Sequence, residues 1–105
     1  DFRALHPQVD TLLRRMMRTT TLPGYLAYVQ AFIEMDFDER LPALRVPTLL
    51  VAAEHDHGGG PVAEMQHMAS RNPNCALHVI PGVGHICNHE APVEVERLLR
   101  TFLQP

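Results

Sequence analysis

The chain lacks most of the features that place a protein quickly. It has two cysteines in 105 residues, Cys75 and Cys87, which are not spaced as a C-x-x-C pair. That excludes a disulfide scaffold and leaves two small reduced core fillers as the expectation. No apolar run approaches the roughly 20 residues of a membrane helix, and no charged, apolar and small-residue signal pattern opens the chain. A soluble, cytoplasmic protein is expected. There is no long basic run, and a net charge of -3 is spread over interspersed signs, which argues against nucleic acid or an anionic membrane as the main partner. No internal repeat or low-complexity segment occurs. The chain begins at Asp1 without a methionine, so it is expected to be a piece of a longer protein. It holds one serine, Ser70.

What is present is a change of period. Pro7 suits a first helical turn, and Val9, Leu12, Leu13, Met16 and Met17 then recur at the spacing of one buried helical face, with Arg14, Arg15 and Arg18 off that stripe. A break at Thr19-Thr20-Thr21-Leu22-Pro23-Gly24 precedes Tyr25, Tyr28, Val29, Phe32 and Ile33, which repeat the spacing. The segment Asp36-Phe37-Asp38-Glu39-Arg40-Leu41-Pro42 reads as a charged connector whose proline stops the helix. From Val46 to Ala53 the chain is apolar apart from Thr48, the pattern of an interior parallel strand covered on both faces. Pro61 then opens a helix with Val62, Met65, Met68 and Ala69 on one stripe, and Ala76 to Ile80 forms a second strand. Pro92 starts a closing helix, in which Val95, Leu98, Leu99, Phe102 and Leu103 are the expected core face.

Strand, helix and strand in that order predict a parallel pair, with both strands ending on one edge of the sheet. Just past the first strand lies Glu54-His55-Asp56, and just past the second lies Pro81-Gly82-Val83-Gly84-His85. If the strands are neighbours, roughly 4.8 Å apart, short loops bring the Asp56 carboxylate within hydrogen-bonding range of the His85 imidazole. A carboxylate so placed fixes the tautomer of a histidine base and stabilises its imidazolium. Asp56 and His85 are therefore the candidate acid and base. The sheet itself is incomplete, since a strand as apolar as Val46–Ala53 calls for a neighbour on its other side.

The segment from Arg45 to Asp56 resembles the acid-bearing strand and turn of the α/β-hydrolase superfamily. Pro81-Gly82-Val83-Gly84-His85-Ile86-Cys87-Asn88-His89-Glu90-Ala91-Pro92 resembles the turn that carries its catalytic histidine. Together they cover about the last sixty residues. Met16-Met17-Arg18-Thr19-Thr20, Pro23-Gly24-Tyr25 and Met35-Asp36-Phe37 resemble the end of the helical cap in 3-oxoadipate enol-lactonases. The resemblance implies an α/β fold, the C-terminal portion of an α/β-hydrolase: cap-end helices in residues 1–41, then the last two parallel strands with flanking helices in residues 42–105. It implies an enzyme that opens a small ester or lactone of aromatic catabolism with a serine nucleophile and no cofactor. Where the family has a Thr-Pro-Pro-like turn after the acid, this chain has His57-Gly58-Gly59-Gly60-Pro61, which predicts a looser, less well fixed acid turn.

The elbow Gly-x-Ser-x-Gly that exposes such a serine is missing, and Ser70 sits late in a helical stripe without glycine partners. In these hydrolases the chain order is serine, acid, histidine, so the nucleophile is expected upstream of Asp1, in the remainder of the parent chain, and the chain alone is expected to be inactive. An aspartate there would point instead to epoxide or haloalkane opening, and loss of the nucleophile to a non-catalytic binding protein. His55, His57, His85 and His89 also allow a metal site, but neither H-x-H-x-D-H nor H-E-x-x-H occurs; no metal is expected, and His55, His57 and His89 read as polar rim residues. Asp36 and Asp38 precede the strand and read as solvated connector residues. Arg14, Arg15 and Arg18 read as a solvated helix face rather than a clamp for a substrate carboxylate.

Overall fold

The computed structural model describes residues 2–104 of the chain. Its contacts divide the chain into two compact units, Asp1–Asp36 and Phe37–Pro105. The first unit holds α1 (Phe2–Leu5), α2 (Pro7–Thr19) and α3 (Leu22–Glu34). Pro7 stands in the first turn of α2 as expected. The second helix starts three residues earlier than its apolar spacing suggested: the Thr21 hydroxyl accepts a hydrogen bond from the Gly24 amide at 3.3 Å, and Pro23 falls in the first turn, where its missing N–H costs nothing. The stripe on α2, expected to be buried, is not: no residue of α2 or α3 is buried, and Met17 and Ile33 are 77% and 74% exposed. A unit of this size has too little chain to cover an apolar face from both sides.

The second unit begins with a 3-10 helix, Asp38–Ala43, that contains Pro42, where the sequence suggested only a connector. The tighter helix tolerates the proline because each 3-10 turn is short and asks for few backbone donors. There follow β1 (Thr48–Ala53), α4 (Val62–Arg71), β2 (Cys75–Ile80), a short α5 (Cys87–Glu90) and α6 (Pro92–Leu103). The strands are parallel and in register from Thr48 opposite Cys75 to Ala53 opposite Ile80, with α4 as the crossover. Val46 lies outside β1 and is exposed, and Thr48 to Val51 are half-buried, so the expected cover on both faces is reached only at Ala52 and Ala53. The sheet described has two strands.

The core is small and sits at one end. Ala52, Ala53, Ile80 and Leu98 are its buried apolar residues, three of them at the C-terminal ends of the strands. On α6 only Leu98 of the expected face is buried, while Leu99, Phe102 and Leu103 are exposed. At the opposite end, buried Asn72 ties the α4–β2 turn: its side-chain oxygen accepts from the Asn74 amide at 2.9 Å, and the Asn74 carbonyl accepts from Thr48 at 2.9 Å.

Candidate active site

The two strand exits are laced to each other by backbone and carboxylate. The Glu54 amide donates to the Ile80 carbonyl at 3.0 Å, and the His55 amide to the Val83 carbonyl at 2.9 Å, so the ladder continues past the strands. The Glu54 carboxylate accepts from the Gly82 amide at 2.7 Å. Gly82 has φ of 71°, a left-handed conformation that a side chain would strain, and the chain turns there toward His85. On the far side of the turn, Glu90 of α5 accepts from the Gly84 amide at 3.0 Å.

These ties bring Asp56 and His85 together, with His85 Nδ1 2.8 Å from Asp56 Oδ2. The other carboxylate oxygen, Oδ1, accepts from the amides of Gly58 at 3.1 Å and Gly59 at 2.9 Å. The glycine run thus closes onto the acid, and the loose acid turn expected from it is not found: without side chains, two successive amides can fold back onto one oxygen. The bond to His85, then those from Gly59 and Gly58, hold the Asp56 carboxyl well below the usual carboxylate range, against the opposing effect of burial. An ionised carboxylate can only accept, so Nδ1 carries the proton and Nε2 of the neutral ring is left as a base. Asp56 is 8% exposed, whereas the His85 side chain is 68% exposed. The acid is sunk and the base is presented.

The other histidines are arranged differently. His55 and His57 are exposed, with ring centroids 6.5 Å apart, and His67 on α4 lies 2.7 Å from Asp38. Among the described residues no three His, Cys, Asp or Glu side chains gather as metal ligands. Ser70 spends its hydroxyl on the His67 carbonyl of its own helix, at 2.7 Å. Arg14 is paired with Asp10 at 2.7 Å. No helix of the described residues is long and apolar enough to cross a membrane. Sequence reasoning did not find Glu54, Glu90 or the part played by Gly59; an acid immediately after one strand, and another two residues before the proline of a closing helix, were the available signals for the first two.

The enol-lactonase of Burkholderia xenovorans LB400 superposes on 98% of the chain with a TM-score of 0.93, at 22% identity, and the match takes in 39% of that enzyme. The chain is the C-terminal part of an α/β-hydrolase fold. Est816, an N-acyl homoserine lactone degrading enzyme, matches 96% of the chain with 41% of its own length, at 28% identity and a TM-score of 0.75. In sequence, 97 residues are 31% identical to a candidate carbamate hydrolase, RutD, of Pseudomonas syringae pv. syringae. That alignment takes in 92% of this chain and 32% of RutD, and the chain spans about a third or less of the curated relatives it matches. No protein-family model matches it.

Proposed function

We propose that this chain is the acid-and-base portion of a serine-type α/β-hydrolase acting on a carboxylic ester or lactone. In this reading residues 1–41 are the end of its helical cap and residues 42–105 the closing part of its core, in a cytoplasmic enzyme without a cofactor. The observation that carries it is the 2.8 Å bond between a buried carboxylate and an exposed imidazole at the shared end of two parallel strands. Likeness in fold to an enol-lactonase and to a lactone-degrading enzyme, and in sequence to a candidate carbamate hydrolase, supports this reading at the level of the reaction class.

The chemistry is two acyl transfers. A serine oxygen from the preceding part of the parent chain attacks the carbonyl carbon, and its proton passes to His85 Nε2. Asp56 holds the imidazolium through Nδ1 without taking its proton. The tetrahedral adduct collapses, the alkyl oxygen leaves with the proton from His85, and in a lactone this opens the ring. Water then repeats the sequence on the acyl-serine and restores the enzyme. Small-molecule ester or lactone and the remainder of the parent chain are the only partners required; neither nucleic acid nor a membrane enters the reaction.

A fluorophosphonate probe, which reacts with activated serines, tests this on the full-length protein and on the chain alone. Labelling of an upstream Gly-x-Ser-x-Gly serine, with ester turnover, is expected for the full-length protein, and neither for the chain alone. Labelling at Ser70 would overturn the assignment. An upstream aspartate at the elbow would move the reading to epoxide or haloalkane opening, and an alanine or glycine there to a binding protein.

A further inference from the structure

The acid turn contains two glycines that do the same thing by their amides and different things by their Cα atoms. Gly58 and Gly59 both donate to Asp56 Oδ1, at 3.1 and 2.9 Å. Neither has a positive φ, so the backbone of each accepts an ordinary side chain. A Cβ on Gly58 would meet nothing within 4 Å. A Cβ on Gly59 would overlap the imidazole of His85, with Cε1 and Nδ1 the nearest atoms and Nε2 at 2.9 Å. The ring therefore rests on the bare Cα of Gly59 while its Nδ1 bonds the carboxylate that Gly59 also holds.

We propose that Gly59 is a positioning residue, a seat that sets the plane of the His85 ring against Asp56 and that only a residue without a side chain can form. A general base works only if its lone pair points at the proton it takes, and a ring held by a single hydrogen bond can still swing about that bond. Packing against Gly59 removes that freedom from one face. The role deepens the acid–base reading of Asp56 and His85, but the geometry it describes exists whether or not the protein is a hydrolase. Sequence-level reasoning reads the three glycines alike, since the difference between them lies in what occupies the space above each Cα.

The test compares Gly58→Ala with Gly59→Ala in the full-length protein, with circular dichroism confirming the fold. The Nδ1 proton of His85, bridged to Asp56, is followed by NMR, and ester turnover is followed alongside. Gly58→Ala keeps the backbone amide that donates to Asp56 and is expected to keep the bridged proton signal. Gly59→Ala is expected to lose the signal and to lower kcat on the order of a hundredfold with little change in KM, the size of effect an ångström of misplacement brings. A Gly59→Ala protein that keeps the bridged signal overturns the proposal. Loss of the signal with turnover unchanged leaves the seat standing and overturns the catalytic reading instead. Stability supplies an independent check: Gly59→Ala should lower the unfolding midpoint when His85 is present and not in a His85→Ala background, because the overlap is with that ring. An equal loss in both backgrounds contradicts the seat.

Discussion

The second unit holds two aspartate–histidine pairs that are almost indistinguishable by length and spacing. Asp56 and His85 lie 2.8 Å apart and Asp38 and His67 2.7 Å apart, each pair joined across 29 positions of sequence. Their surroundings differ. Asp38 is exposed at 44% of its side chain, His67 at 54%, and Arg71 approaches the same carboxylate at 3.6 Å. Asp56 is buried, takes two backbone amides on its second oxygen, and faces a ring that rests on Gly59. Exposed ion pairs of the first kind contribute little and reorient freely. The second kind is preorganised, which is what acid–base chemistry requires and what a short distance alone does not reveal.

The largest contrast is expected from removing the rings. In the full-length protein His85→Ala should cost on the order of a millionfold in kcat for ester hydrolysis, as loss of the base does in serine-type triads. His67→Ala should leave turnover within about twofold. Equal losses from the two would erase the distinction between the pairs.

Acid acts next, on the buried pair. The Asp56 carboxyl titrates below its unfolded value, near 3.9, so the folded state binds fewer protons than the unfolded chain in that range. The stability this supplies is complete above about pH 4 to 5 and falls as the pH drops toward the depressed folded value. Urea midpoints at pH 5 and pH 3 should therefore draw together in Asp56→Asn relative to the parent sequence.

The smallest effect concerns the turn that carries the base. Glu90→Ala removes the acceptor for the Gly84 amide, beside His85, and should lower kcat about fivefold, the equivalent of about 1 kcal/mol for one hydrogen bond. Glu90→Gln keeps an oxygen there and should recover most of it. If both variants behave alike, the bond to Gly84 does not matter.

Periodicity made the long elements readable. The stripes from Val9 to Met17 and Val62 to Ala69, and the apolar run from Leu49 to Ala53, fall in α2, α4 and β1, and the order of strand, helix and strand was enough to bring Asp56 to His85. Three features escaped for a common reason. The helix α1, the 3-10 helix Asp38–Ala43 and α5 are too short to show a period. Burial was over-read on α2, α3 and α6, because an apolar stripe states what a helix could bury and not what is there to cover it. The glycine run was read as slack for a similar reason: its amides find their partner only once Asp56 has turned back over them.

The most direct test of the central claim, that Asp56 is the carboxylate that orients the base, exchanges one atom in each pair. Asp56→Asn and Asp38→Asn are made in the full-length protein, each confirmed as folded by circular dichroism, and ester or lactone hydrolysis is measured for both. Asp56→Asn should fall on the order of ten-thousandfold in kcat, since an amide no longer holds the histidine in the working tautomer. Asp38→Asn should stay within about twofold. Full activity in Asp56→Asn, or its loss in Asp38→Asn alone, would contradict the account.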